Sequence, residues 1–475
     1  MKIKFCGATE SVTGSSYLIE DKNNLLLIDC GMYQETNMEL NNYLPFNFEP
    51  SSLKYVILTH AHLDHCGLIP KLFNLGFKGN VYCTYATFEL CKVVLADAAK
   101  IQEINLRRRI NNKGLLYNTL DVEFALSKFI PVETEKEIVL SSECKITFLP
   151  VGHILGACSV LINISDKNIL FSGDIGRTNQ SIIKSFTTYS YSKIKPNYII
   201  MESLYGGKIH PDKNLDITKI LEVINRIKIL NSKIIIPVFS IHRVQEILEI
   251  LNFLFLYYKQ VNKCTIFLDS PMAIEVTKIY LNNLNLFNSD TTFLNKKINY
   301  KYSNTGNDEN YSNYQIKQID RFNPPNLNQI IKSSKSKRLI NARNAIILAG
   351  SGMADGGRVI KHLYSGLSDP DNYVIFVGYQ AEGTLGRQLV DGEKNVYIMD
   401  KRINVRANIL YLRGFSAHGD NQDLHDWLNK FDLGELKNIF LVHGEAESKE
   451  NFSAQLDQIG RKNYIPKNID ELELT

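Results

Sequence analysis

The sequence predicts an α/β protein of two domains, and three observations carry that expectation. The chain has 475 residues, more than a single hydrophobic core usually serves. From Met1 to about Gly206, short apolar runs of strand character dominate. From about Gly207, helical and strand-like patterns alternate, as in a parallel sheet covered by helices. After Lys401 the earlier pattern returns, so the expected division is 1–206, an inserted 207–402, and 403–475 completing the first domain.

In the first domain the strand candidates are 2–6, 16–20, 25–29, 55–59, 145–149, 158–164, 168–172 and 198–202. Many run directly into a polar or Gly residue, which places reactive groups at strand ends. Between residues 85 and 129, apolar side chains recur at spacings of three and four, a helical period. In the insertion, helices at 215–230, 244–258 and 273–281 alternate with strands at 233–238, 265–269, 345–349 and 373–377. A strand at 408–412, a helix at 421–431 and a strand at 438–442 are expected to close the first domain. Segment 281–328 is rich in Asn, Tyr and Lys with weak periodicity, and no function is placed there.

Composition excludes several classes. Charged residues are 22% of the chain and hydrophobic ones 44%, so the chain is neither a disordered polyelectrolyte nor a membrane bundle. No apolar run approaches the roughly 18 residues that a membrane span needs. The opening MKIKFCGATESVTGSSYLIEDKNNLLLIDCG has no long apolar core or small-residue cleavage site, so no secretory signal is expected. Eight cysteines are scattered without a CxxC pair, which suits free thiols in a reducing, cytoplasmic setting. A net charge of +4 permits a polyanionic partner without demanding one.

The strongest chemical signal is Thr59-His60-Ala61-His62-Leu63-Asp64-His65, immediately after an apolar strand. Neutral imidazole is a zinc ligand through one ring nitrogen, and carboxylate supplies oxygen. A turn leaving a strand end aims His60 and His62 at one metal, while Asp64 and His65, at the start of the next helix, face a second. Two shells need further ligands, and other strand ends offer them: His153 after Gly152, Asp174 in Phe171-Ser172-Gly173-Asp174, and His443 after an apolar run. Taken singly, each would pass for a structural residue; together they complete two sets. Asp29, following 25–28, is placed to hold a ligand His by its far ring nitrogen.

HAHLDH with Asp29, His153 and Asp174 resembles the metallo-β-lactamase superfamily pattern of HxHxDH, an upstream Asp, a later His and a bridging Asp. Further segments resemble the β-CASP nucleases within it. Met201-Glu202-Ser203-Leu204-Tyr205-Gly206 is similar to their acidic motif A, with Leu204 where the family usually has Thr. Phe415-Ser416-Ala417-His418-Gly419-Asp420 is similar to motif B, and Val442-His443-Gly444-Glu445 to motif C. PVFSIHRVQE, LDSPMA, GSGMADGGR and GYQAEGTLGRQL match the inserted domain, and GATESVTGSSYLI the N-terminal part. The resemblance thus spans nearly the whole chain, broken mainly at 281–328.

It implies a metallo-β-lactamase αββα sandwich carrying an inserted α/β β-CASP domain. It also implies two Zn2+ per chain: His60, His62 and His153 on one, Asp64, His65 and His443 on the other, and Asp174 bridging both with an activated water. Members with His in motif C cut RNA, among them the endonuclease subunit of the eukaryotic cleavage and polyadenylation factor, so His443 points to RNA rather than DNA. The chain looks like the compact bacterial form. Catalysis would rest on Asp64 and Asp174 at the metals and on His418 as general acid, oriented and kept cationic by Glu202. Single-stranded RNA would be held by Ser351, Gly352, Arg358, Gly383, Arg387 and Ser416 through backbone phosphates. Cutting would be mainly endonucleolytic, leaving 5′-phosphate and 3′-hydroxyl ends, and the family allows a homodimer.

Two alternatives stay open at this point: another binuclear hydrolase of this fold acting on small substrates, and an RNA-binding regulatory subunit with dormant metal sites. His210, His242, His362 and His425 read as surface or packing residues, and Arg107-Arg108-Arg109 as a solvated helix face.

Overall fold

The structure is a computed structural model and describes all residues except 23, 36, 108–113, 258–263 and 289–319. Arg108, Arg109 and most of the Asn-rich segment therefore lie outside the described residues. The chain forms two compact units, Met1–Ile209 with Ala417–Thr475, and His210–Ser416.

The first unit contains two seven-stranded sheets. In the first, the order runs Glu471–Glu473, Lys2–Phe5, Tyr17–Asp21, Asn24–Ile28, Tyr55–Ile57, Asn80–Thr84, Phe129–Val132. In the second it runs Asn463–Tyr464, Asn438–Val442, Tyr198–Glu202, Lys167–Phe171, Cys158–Ile164, Cys144–Pro150, Glu137–Ser141. Side chains alternating along both sheets meet in one core: Ile3, Phe5, Ile19, Leu26 and Ile28 from one, Phe148, Val160, Ile162, Phe171 and Ile200 from the other. Leu27, on the opposite face of its strand, is also fully buried. A strand covered on both faces reads as a continuous apolar run, which is why Leu25–Ile28 shows no alternation. Helix Tyr85–Arg107 packs on the first sheet and helix Ala446–Gln458 on the second, completing an αββα sandwich.

The second unit is a six-stranded sheet in which every pairing is parallel. Its order is Leu327–Gln329, Thr265–Asp269, Ala345–Ala349, Lys233–Pro237, Tyr373–Phe376, Asn408–Tyr411. Helix Lys213–Leu230 precedes these strands in the chain, and helices Arg243–Tyr257, Pro271–Leu281 and Val359–Gly366 lie between them. Ser270 caps the third of them by accepting from the Ala273 N–H, with Pro271 in its first turn.

One element departs from the expectation. Strand Asn408–Tyr411 pairs in parallel with Tyr373–Phe376, so it is the edge of the second unit's sheet, and the chain re-enters the first unit only at Ala417. Its sequence, NILY, carries no mark of which sheet receives it.

Candidate metal centre

Topology brings the proposed ligands to one edge of the sandwich. Strands Lys167–Phe171, Tyr198–Glu202 and Asn438–Val442 are mutually parallel, so Asp174, Glu202 and His443 emerge from the same end of that sheet. Cys144–Pro150 runs antiparallel to Cys158–Ile164, which runs antiparallel to Lys167–Phe171, so His153 leaves at this end as well. In the other sheet, Asn24–Ile28 and Tyr55–Ile57 are parallel and deliver Asp29 and His60 together. The Cys158 N–H donates to the Thr59 carbonyl at 3.1 Å, joining the two sheets at the site.

The local backbone is shaped for this convergence. Asp29 (φ +58°) and His443 (φ +47°) adopt the left-handed conformation, which costs a non-Gly residue about 1–3 kcal/mol and is retained where surrounding structure dictates it. A Cβ on Gly31 would collide with the Asp64 carbonyl, so glycine is required there for the HAHLDH turn to close against the strand end.

Two sets of donors result. His60 Nε2 and His153 Nε2 lie 3.1 and 3.2 Å from His62 Nδ1, and 3.3 and 3.4 Å from Asp174 Oδ2. On the other oxygen, His65 Nε2 and His443 Nε2 are 3.1 and 3.5 Å from Asp174 Oδ1. Asp64 Oδ2 is 3.5 Å from His443 Nε2 and 4.0 Å from His65 Nε2. Asp174 thus faces one set with each oxygen. These groups fit cations better than they fit one another. Three ring nitrogens crowd one point in the first set, where pairwise hydrogen bonds satisfy at most two, and Asp174 Oδ1 is buried without a hydrogen-bond partner among the described residues. Imidazole and carboxylate within 4.8 Å of each other are the donors that divalent zinc takes.

The electrostatics divide in the same way. Burial pushes His60 and His153 below the usual range, and burial with the neighbouring His60 takes His62 down to about 3, which favours neutral ligands. Burial opposes the charge on His65 and His443 too, but the carboxylates outweigh it. Asp174 and Asp29 hold His65 well above its ordinary value, and Asp174 with the Asp64 contact carries His443 up to about 9. Asp174, although buried, is held well below the usual carboxylate range by His443 and His65.

The supporting shell is specific. Asp29 Oδ2 accepts from His65 Nδ1 at 2.7 Å, fixing the ring so that Nε2 turns to the site. Asp29 also accepts from the Thr59 N–H and hydroxyl at 2.8 Å, and Thr59 Oγ1 lies 3.0 Å from His60 Nδ1. Glu202 presents both oxygens to His418 Nδ1 at 3.2 Å, and its Oε1 accepts from the Ile175 N–H at 2.5 Å. His418 Nε2 then stands 3.9 Å from Asp174 Oδ2. The Gly419 N–H donates to the Ile175 carbonyl at 2.7 Å, locking the His418 loop to the Asp174 loop. Asp423 ties the same loops by accepting from the Thr178 N–H and hydroxyl at 2.9 and 2.7 Å.

Sequence reasoning passed over Thr59 and Asp423. The hydroxyl residue directly before a candidate ligand His is one available signal. The other was Asp420-x-x-Asp423, a capping box at the start of helix Asn421–Leu428.

The residues expected to hold RNA all belong to the second unit. The Gln380 side chain donates to the Gly352 carbonyl at 3.1 Å and the Gly386 N–H to the Met353 carbonyl at 3.0 Å, so the two Gly-rich segments are adjacent. Gly383 has φ +81°. Ser351 donates to Asp355, Arg387 pairs with Asp391 at 2.8 Å, and Ser416 is half-buried after the turn Arg413–Phe415. Arg358 is turned elsewhere. Its guanidinium donates to the buried Asp269 carboxylate at 2.7 Å and to the Ile330 and Ile331 carbonyls at 2.8 and 2.5 Å, so it serves the fold. His242 and His362 are buried beside Tyr280 and Asp269, and His425 meets Gln455, all packing roles.

A sandwich holding paired His/Asp donor sets at one edge defines a metallo-hydrolase, and comparison with known proteins agrees. Residues 11–237 match the metallo-β-lactamase superfamily, 244–389 the Beta-Casp domain, and 402–466 the Zn-dependent metallo-hydrolase RNA specificity domain. The chain is 33% identical to Ribonuclease TTHA0252 of Thermus thermophilus, over 94% of each protein. It is 30% identical to an RNase J-like protein of Methanocaldococcus jannaschii, over 95% of this chain and 94% of that one. With transcription termination factor FttA of the same organism it shares 28% identity, over 100% of this chain and 72% of the relative. A solved protein of unknown function from Enterococcus faecalis V583 has the same fold, with a TM-score of 0.53 at 14% identity, covering 100% of this chain and 99% of that one. The chain belongs to the β-CASP ribonucleases of the metallo-β-lactamase superfamily, metal-dependent RNA hydrolases.

Proposed function

We propose that this chain is a zinc ribonuclease that cuts single-stranded RNA internally, with two Zn2+ in the paired donor sets, in RNA processing or decay. The observation that carries the reading is Asp174, with one oxygen facing His60 and His153 and the other facing His65 and His443. When bound, the two ions would supply Lewis acidity to the scissile phosphate and activate a water. His60, His62 and His153 would take the first ion, Asp64, His65 and His443 the second.

The chain's own residues then have separable tasks. Asp29 keeps the proton on His65 Nδ1, so that Nε2 offers its lone pair. Glu202 orients His418 through Nδ1 and leaves Nε2 on the metal side of the ring. A proton on His418 Nε2 would pass to the departing ribose oxygen, giving 3′-hydroxyl and 5′-phosphate ends. Backbone phosphates would meet Ser351, Gly352, Gly383, Arg387 and Ser416, contacts that position a strand without reading its bases. The same reading takes a cytoplasmic enzyme and allows a homodimer. RNA as substrate is supported by the names of the relatives and by the His at 443 in the family's motif C. A dormant subunit is disfavoured because every ligand position of the family's pattern is filled.

The test is cleavage of internally labelled single-stranded RNA by the zinc-loaded protein, with fragments sized to separate internal cuts from end-trimming. Asp64→Ala should abolish cutting and lose metal. His418→Ala should lower kcat by about 10²–10⁴ while metal is retained. If either variant cuts like wild type, the role given to that residue is wrong.

A further inference from the structure

Residues 321–354 contain Arg321, Lys332, Lys335, Lys337, Arg338 and Arg343 and no Asp or Glu. Two of these cations are matched within the second unit: Arg321 is buried against Glu249, and Arg343 pairs with Asp369 at 2.9 Å. Lys332, Lys335, Lys337 and Arg338 are exposed, and none makes an ion pair among the described residues. They occupy the short helix Ser333–Arg338 and the residue before it. Positions 335 and 338 lie three apart on the helix and so form one ridge, with Cβ atoms about 5–6 Å apart, and Lys332 stands at its N-cap.

That ridge stands on a fixed base. Ser336 is buried and donates to Asp269 at 2.5 Å, and Ile330 and Leu339 on either side belong to the unit's core. Arg358 grips the Ile330 and Ile331 carbonyls from below. Like charges at this spacing repel, and the partial charge of the helix C-terminus offsets only part of that. A surface shaped for solubility alone intersperses acids among its lysines. Four exposed cations on a fixed backbone, without an ion pair among the described residues, instead suit a ligand with closely spaced negative charges, whose binding releases condensed counterions. Exposed Asn328, Gln329, Ser333 and Ser334 add uncharged hydrogen-bonding groups of the kind that contact phosphate and sugar oxygens. Ile331 is the one exposed large apolar side chain in 321–354, so there is no apolar face to enter a lipid layer.

We infer that Lys332, Lys335, Lys337 and Arg338 form a sequence-independent docking surface for the backbone of single-stranded RNA, additional to the Gly-rich segments. This rests on the RNA reading above. The test replaces all four with Gln (Lys332→Gln, Lys335→Gln, Lys337→Gln, Arg338→Gln) in the full, zinc-loaded chain. Affinity for labelled single-stranded RNA is read by anisotropy across a salt series, in a His418→Ala background. Affinity at low salt should fall at least about tenfold, and the slope of log K against log salt should flatten by up to about 3, near 0.7 per lost phosphate contact. With His418 intact, KM for RNA should rise while kcat stays, and turnover of a small chromogenic phosphodiester should not change. Unchanged RNA affinity and slope would overturn the inference. So would intact RNA affinity with a change in oligomeric state or in binding to anionic vesicles. Failure of the unsubstituted chain to bind or cut RNA is a different result and overturns the RNA reading itself.

Discussion

Two buried polar clusters, one in each unit, behave in opposite ways. In the first unit, His60, His62, His153 and Asp174 crowd their donor atoms together and leave Asp174 Oδ1 without a hydrogen bond among the described residues. In the second, Glu246 is buried between Lys213 and Arg243, opposite charge against opposite charge. The second cluster is complete as it stands. Burial alone would raise the Glu246 carboxyl, yet Lys213 and Arg243 hold it down at about 2. The first needs something brought from outside. A cluster of titratable groups signals a ligand when its donors converge without partners, and structure when they are matched.

The largest effect expected from this contrast is on stability. Glu246→Gln removes the buried carboxylate charge that Lys213 and Arg243 share, and removing one partner of a buried pair costs about 3–5 kcal/mol. Denaturant unfolding followed by circular dichroism should show that loss, while zinc content is unchanged. A variant as stable as wild type would mean that the ion triad is not the second unit's anchor.

A pH effect follows from the same groups. Glu246 has a folded pKa of about 2 against an ordinary 4.5, so its contribution is present above about pH 4.5 and lost as pH falls through 2. His242, pushed by burial down to about 3 from an ordinary 6.5, acts in the same direction at higher pH. The unfolded chain takes up that proton first, so stability falls as pH drops from 6.5 toward 3. His242→Gln should flatten the profile between pH 6.5 and 4.5, make it shallower from there to about 3, and leave the final fall through Glu246 below that.

The smallest effect probes the supporting shell of the first cluster. Asp29→Asn keeps the shape but removes the charge that orients His65, and should weaken metal binding by about 10–100-fold. A chelator competition titration measures it, and an unchanged affinity would remove Asp29 from the shell.

Much of this was legible in the sequence because the chemistry sits at strand ends. HAHLDH, Asp29, His153, Asp174 and His443 each follow an apolar run, and their placement by parallel strands needs only that topology. What the sequence hid is what depends on packing across the sheet. Strand Asn408–Tyr411 is equally apolar in either sheet, so its partner is decided by the neighbouring strand rather than by its own residues. Arg358 lies in a Gly-rich stretch suited to phosphates, but the buried Asp269 comes from a strand 89 residues away and captures the guanidinium. Thr59 acts by donating to the Asp29 carboxylate, and Asp423 by accepting from the Thr178 N–H and hydroxyl, contacts between residues far apart in the chain that periodicity does not reveal.

A single buried aspartate shared by two metal ions would make both sites depend on Asp174. Zinc content of the purified chain after dialysis, set against the same measurement on Asp174→Ala, tests it most directly. Two equivalents are expected in the wild type, with loss of tight binding at both sites in the variant. One equivalent in the wild type, or two retained in the variant, would contradict it.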